Sequence, residues 1–143
     1  MLIANVLQGK GGKVHTLRPE VTLEQAAKEL SLRKVGALVV VDEAHGLVGV
    51  LSERDIVRTI GERGGSCLAD PVSAVMTRAV ITADPGESVD ECLDRMTDRR
   101  FRHLPVVEGG KLIGIVSIGD LVKHRIEKAE ADAAAMEAYI AAS

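Results

Sequence analysis

Gly49-Val50-Leu51-Ser52-Glu53-Arg54-Asp55 and Gly114-Ile115-Val116-Ser117-Ile118-Gly119-Asp120 carry the same pattern, Gly-x-x-Ser-x-x-Asp, 65 residues apart. Working outward, residues 46–60 match 111–125 at that offset, and residues 14–41 match 80–107 at an offset of 66. Identical pairs include Thr16/Thr82, Pro19/Pro85, Arg33/Arg99, Leu38/Leu104, Val40/Val106, Leu47/Leu112 and Val57/Val122. The one-residue change of offset falls in a hairpin. Self-similarity at a fixed period marks a tandem of two like supersecondary units.

Each unit reads as strand, helix, strand, strand, helix. Thr22-Leu23-Glu24-Gln25 and Ser88-Val89-Asp90-Glu91 are capping-box sequences that open a helix. Leu23, Ala26, Ala27 and Leu30, like Val89, Cys92, Leu93 and Met96, fall on one helical face and predict packing on that side. The runs 37–41 and 104–107, each followed by a polar turn and a second apolar run, predict hairpin strands buried on both faces. A second helix begins at Ser52 and at Ser117. The expected fold is therefore α+β, two β-α-β-β-α repeats. Halves this small need a shared core, which predicts that they pack as one pseudo-two-fold module.

The boundaries follow: 1–66 for the first repeat with an N-terminal helical turn, 67–126 for the second with its connector, and 127–143 for a C-terminal helical extension. In the connector, Asp70-Pro71 caps and starts a short helical turn ending near Met76, and Ile3 to Leu7 is its counterpart before the first repeat. From Asp120 to Ile140 there is no Gly or Pro, and Val122, Ile126, Ala129, Ala133, Met136 and Ile140 recur at spacings of four and three. Such a stripe suits pairing with another helix or folding back on its own domain.

Composition narrows the function. The chain has 143 residues, 46% hydrophobic and 27% charged, with a net charge of -3, as for one ordinary globular domain. Aromatic content is 1%, which leaves no stacking platforms for single-stranded nucleic acid, and the acidic balance gives no general attraction to a phosphate backbone. No apolar run approaches the length of a membrane span, and a cytoplasmic, reduced protein without a disulfide between Cys67 and Cys92 is expected. His15, His45, His103 and His124 show no metal-ligand spacing, so no metal is expected. No Ser-His-Asp or Cys-His arrangement can be drawn, and an enzyme is not expected. Gly9-Lys10-Gly11-Gly12-Lys13 reads as a flexible turn and not a P-loop, because no strand precedes it and Val14 follows Lys13.

The Gly-x-x-Ser-x-x-Asp element has two readings. As structure, Ser at the N-cap and Asp three residues on satisfy the first turn of a helix. As chemistry, the same geometry sets a hydroxyl, free N–H groups and the positive helix end beside a carboxylate, which suits a phosphate and a ribose diol.

The tandem, both Gly-x-x-Ser-x-x-Asp elements, Pro71-Val72-Ser73-Ala74-Val75-Met76-Thr77 and Arg100-Phe101-Arg102-His103-Leu104-Pro105-Val106-Val107 resemble a pair of cystathionine-β-synthase (CBS) domains, a Bateman module. The resemblance implies a regulatory module that binds an adenosyl ligand in clefts between the repeats: AMP first, with ADP, ATP, NAD or S-adenosylmethionine as alternatives. It also implies a homodimer, with ligand changing dimer geometry or affinity for a protein target. Carried over by position, Asp55 and Asp120 would hold ribose hydroxyls, and Ser52 and Ser117 would reach phosphate. Thr16, Thr82 and Ile81, with Ala37, Leu38, Val39, Leu104 and Pro105, would line the clefts. Arg54 is matched by Gly119, while Arg102-His103 replace Gly36-Ala37, so Arg54, Arg102 and His103 are the unequal cations expected at phosphate. The alternative is a ligand-independent dimeric scaffold acting through its C-terminal helix.

Overall fold

The computed structural model describes residues 1–11, 14–44 and 46–143, and it divides into two compact units: Lys13–Ile81, and Met1–Gly12 together with Thr82–Ser143. The predicted turns at Gly12-Lys13 and the side chain of His45 lie outside the described residues.

In the first-repeat unit, Thr22 opens a helix, α2 (Leu23–Arg33), by a reciprocal cap: Thr22 Oγ1 accepts the Gln25 N–H at 3.1 Å and Gln25 Oε1 accepts the Thr22 N–H at 2.9 Å. A short strand β1 (Thr16–Leu17) pairs in parallel with β2 (Ala37–Asp42), which forms an antiparallel hairpin with β3 (Gly46–Ser52) before α3 (Glu53–Arg63). The core sets Leu23, Ala26 and Leu30 of α2 against Leu38, Val40 and Leu51 of the sheet and Ile56 of α3. Two 3₁₀ turns follow, Gly65–Ala69 and Val72–Ala74. Cys67, Val72 and Met76 from this connector close the same core.

The second-repeat unit has α4 (Val89–Arg99), the hairpin β4 (His103–Glu108) and β5 (Lys111–Ser117), and a helix α5 (Ile118–Ala142), with an N-terminal helix α1 (Ile3–Lys10). The hairpins carry an equivalent bulge, at Val40/Val41 and at Val106/Val107, and the predicted length difference is in their turns. Gly109 and Gly110 both take positive φ, 58° and 78°, which a two-residue hairpin turn of this hand requires.

Three sequence expectations are corrected. The first strand of the second repeat is reduced to a single parallel bridge, Ala83 to Val106. Ala83 N–H donates to the Pro105 carbonyl and Val107 N–H to the Ala83 carbonyl, both at 2.9 Å, but Pro105 has no N–H with which to carry the ladder back toward Ile81. At α4 only half of the capping box forms: Ser88 Oγ accepts the Glu91 N–H at 3.0 Å without a return bond from Glu91. Burial on both faces holds for the first strand of each hairpin only; along β3 and β5 just Gly49 with Leu51, and Gly114 with Val116, are buried.

The segment ahead of each repeat packs on the other repeat. The connector joins the first-repeat unit through a two-way bond between Val50 and Thr77, 3.1 and 2.9 Å, with Met76 laid on Gly49. Helix α1 joins the second-repeat unit: Ile3 N–H donates to the Glu87 carbonyl at 2.9 Å, and Leu7 lies on Gly114. A methyl group at Gly49 would come within 2.5 Å of Met76 Sδ, and one at Gly114 within 2.5 Å of Leu7 Cδ2. The glycine of the repeated motif is therefore a seat for a neighbouring side chain. Gly114→Ala is expected to lower stability by about 1–3 kcal/mol, as overpacking does. Adding Leu7→Ala should recover part of that loss, whereas additive losses in urea denaturation would count against a shared contact.

Candidate functional site

Strand register gathers the residues singled out in each repeat at one end of its hairpin. In the first-repeat unit Thr16 lies opposite Val39, Leu38 opposite Leu51 and Ala37 opposite Ser52. In the second-repeat unit His103 lies opposite Ser117, Leu104 opposite Val116 and Pro105 opposite Ile115. The step into the following helix is pinned alike in both, Glu53 N–H donating to the Gly36 carbonyl at 2.9 Å and Ile118 N–H to the Arg102 carbonyl at 2.8 Å. Thr82 adjoins the bridge residue Ala83, and Ile81, half-buried, ends the first-repeat unit.

The Ser-Asp pair is a reciprocal cap in both repeats. Ser52 Oγ accepts the Asp55 N–H at 3.2 Å while Asp55 Oδ2 accepts the Ser52 N–H at 2.9 Å. For Ser117 and Asp120 the distances are 3.0 and 2.8 Å. Capping thus occupies one lone pair of each hydroxyl and one oxygen of each carboxylate. Each serine keeps a proton to donate and each carboxylate keeps acceptor capacity, at a helix end whose dipole favours negative charge.

Two cations that the sequence reading did not select meet these carboxylates. Arg58 Nη2 donates to Asp55 Oδ1 at 3.0 Å, one helical turn along α3. Lys10, at the end of α1, donates through Nζ to Asp120 Oδ2 at 2.7 Å and to the Ile115 carbonyl at 2.9 Å. The i,i+3 spacing of Asp55 and Arg58 was a local signal for the first contact. Nothing local marks the second. The segment read as a flexible turn instead supplies Gly9 and Lys10 to the end of a helix. Arg54 and Arg102 are exposed and form no ion pair among the described residues, and His103 is half-buried at the start of β4.

The two carboxylates differ in access. The Asp55 side chain is 11% exposed and that of Asp120 is 30% exposed. Burial opposes ionisation of Asp120, but the hydrogen bond from Lys10, with that from the Ser117 amide, outweighs it and holds the carboxyl below the usual carboxylate range. Elsewhere in this unit, partial burial works against Glu87 as well, yet its ion pair with Arg95 holds it low, and Arg95 also donates to the Thr82 carbonyl at 3.2 Å. Cys92 lies against Glu87; burial, then that carboxylate, pushes its thiol up to about 11, the opposite of an activated nucleophile.

A groove of about 560 Å³ in the first-repeat unit runs between α2 and α3, lined by Leu30, Lys34, Ile56 and Val57 among others. It includes none of Thr16, Ser52 and Asp55. Among the described residues no group of three or more His, Cys, Asp or Glu could hold a metal, and no helix is long and apolar enough to cross a membrane.

With two capped Ser-Asp junctions in place, comparison with known proteins decides the family. The profile of the CBS domain matches residues 12–62 and again 72–127. The chain belongs to the CBS-domain family. A mitochondrial CBS domain-containing protein of Arabidopsis thaliana is 35% identical over 146 aligned residues, 96% of this chain and 71% of the relative. The crystal structure of a CBS-domain protein from Agrobacterium tumefaciens, 39% identical, aligns with a TM-score of 0.84 over 87% of this chain and 99% of its own. A CBS domain pair crystallised with 5'-methylthioadenosine and S-adenosyl-L-methionine is 27% identical, with a TM-score of 0.79 over 90% and 98%. The CBS fold expected from the tandem is thus the fold observed.

The Lys10–Asp120 pair gives the CBS chain an acid-sensitive contact. The folded carboxyl is held below its unfolded value, so its contribution is complete above the unfolded value and is lost as pH falls through the folded one. Urea midpoints measured downward from about pH 6 are expected to fall more steeply in the natural chain than in Lys10→Met below about pH 4. Parallel curves would remove the pair from the stability balance.

Proposed function

We propose that this CBS pair is a regulatory module that binds an adenosyl ligand, with the ribose held at the Ser-Asp helix starts. The carrying observation is that each repeat sets a hydroxyl and a buried or half-buried carboxylate at a helix N-terminus with a cation against it: Ser52, Asp55 and Arg58 in one, Ser117, Asp120 and Lys10 in the other. A carboxylate suits a ribose diol, and helix-end N–H groups, a serine and a cation suit phosphate. The relative crystallised with 5'-methylthioadenosine and S-adenosyl-L-methionine supports an adenosyl ligand as the class.

In this reading Asp55 and Asp120 hold ribose hydroxyls and Ser52 and Ser117 phosphate, with Arg54, Arg102 and His103 as further phosphate ligands. Thr16, Thr82, Ile81, Ala37, Leu38, Val39, Leu104 and Pro105 surround the adenine and sugar. AMP is the first candidate, ahead of ADP, ATP, NAD and S-adenosylmethionine: Lys10 and the Ser117 amide share one oxygen of Asp120 and leave the other to a ribose, and a phosphate beside it gives the Lys10 ammonium a second anionic partner. Ligand then acts by favouring one geometry of a homodimer, or one affinity for a protein target, over another; a ligand that binds both states equally would shift nothing. The module itself carries out no reaction in this reading.

Thermal shifts with AMP, ADP, ATP, NAD, S-adenosylmethionine and 5'-methylthioadenosine test it. A ligand at 100 times its dissociation constant adds about 2.7 kcal/mol, which is roughly 5–11 °C for a domain of this size. Asp120→Ala is expected to abolish the response of the second-repeat site and Asp55→Ala that of the first. Lys10→Met should weaken AMP more than 5'-methylthioadenosine, which has no phosphate. No shift with any of the six at millimolar concentration would leave the ligand-independent scaffold, for which the exposed length of α5 speaks.

A further inference from the structure

Thr16 and Thr82 hold the same place in the two repeats but are fixed in different ways. Thr16 pairs with Val39 in the β1–β2 ladder. Pro105 stands where Val39 does, so the pairing in the second repeat is the single bridge at Ala83, and Thr82 lies one residue ahead of it. What reaches Thr82 is a side chain of α4: Arg95 donates through Nη1 to the Thr82 carbonyl at 3.2 Å and through Nη2 to Glu87 Oε2. Glu87 Oε1 in turn accepts the Asp84 N–H at 3.0 Å.

Thr82 C=O and Ala83 N–H belong to one peptide plane, and that plane is clamped from both edges, by Arg95 on one side and by the Pro105 carbonyl at 2.9 Å on the other. Clamping a peptide plane fixes ψ of Thr82 and φ of Ala83. The Arg95 and Glu87 side chains are 30% and 25% exposed, enclosed enough for a planar fork bound at two points to hold its geometry. The first repeat makes the same turn into its helix without them, Glu29 and Val21 standing at the matching positions. The pair therefore answers a need that only the second repeat has.

We propose that Arg95 is a positioning residue for ligand, holding Thr82 in the orientation in which its side chain meets an adenosyl group. This rests on the adenosyl reading above and adds to it a residue outside both Gly-x-x-Ser-x-x-Asp motifs. Without the clamp, the residue ahead of a lone bridge must be ordered when ligand arrives, and fixing one residue is worth roughly tenfold in affinity. Arg95 itself touches no ligand in this role.

The test uses the full chain. Without ligand, Arg95→Met and the polar Arg95→Gln should speed hydrogen exchange of the Ala83 amide at least about tenfold, while amides paired within the β4–β5 hairpin keep their rates. Calorimetric titration then uses AMP, or whichever of the six adenosyl compounds shifts the melting temperature most. Thr82→Val should weaken one ligand site, Arg95→Met should weaken that site roughly tenfold, and the two together should do little more than Thr82→Val alone. An unchanged Ala83 amide overturns the proposal whether or not a ligand binds, and exchange that rises across the whole hairpin marks a merely structural role and overturns it too. Additive losses of affinity, or a Thr82→Val chain that binds as the natural one does, also overturn it. A fast Ala83 amide in variants of a chain that binds none of the six keeps the clamp but overturns the adenosyl reading, and with it this role of Arg95.

Discussion

Two groups in each repeat satisfy each other at the point where a strand becomes a helix. The serine hydroxyl accepts the amide of the aspartate and the aspartate carboxylate accepts the amide of the serine. An unmet amide at a half-buried helix start is costly, so this exchange fixes where α3 and α5 begin. It also fixes where the hairpin ends, since Ala37 and His103 sit directly opposite the serines. The same exchange decides what chemistry is left over: a hydroxyl proton, spare carboxylate lone pairs and a positive helix end, all on the side from which the strands deliver their first residues. Cap and candidate site are one construction, which is why the two readings of the motif do not exclude each other.

How much of this was legible follows from distance along the chain. Thr22 with Gln25, and Ser52 with Asp55, are separated by three residues, and the amino acids themselves state the bond. The hairpins were legible because apolar runs and turn residues alternate over a few positions, and the tandem because both halves repeat them. Pro105 was visible, but its effect on the opposite strand was not, because the missing donor matters only once Ala83 is beside it. Lys10 meets Asp120 across 110 positions, and no local pattern encodes that partner. Gly49 and Gly114 were seen as part of a motif, while the reason for them, Met76 and Leu7 resting on the strand, comes from elsewhere in the chain.

The two repeats are alike in backbone and unlike in charge. Both close α2 and α4 with a cation in the left-handed region, Lys34 at φ 56° and Arg100 at φ 58°. There the positive charge faces the negative helix end, an attraction that offsets some of the backbone strain. At the Ser-Asp junctions the cations instead come from different places, Arg58 from the same helix and Lys10 from α1. A duplicated framework thus carries two chemically distinct corners, and the more exposed of the two carboxylates is the one whose cation belongs to a separate element.

The exchange of leading segments also sets an order of assembly. Residues 13–81 form a unit contiguous in sequence, so every contact that completes it is available once residue 81 has been made. The other unit joins the first dozen residues to everything after 81. Helix α1 precedes the contiguous unit in the chain, yet the surface that buries its Ile3 and Val6 is built from residues that follow that unit. Completing this second unit requires closing a loop as long as the other unit, a long-range contact of the kind whose entropy must be met before it is rewarded.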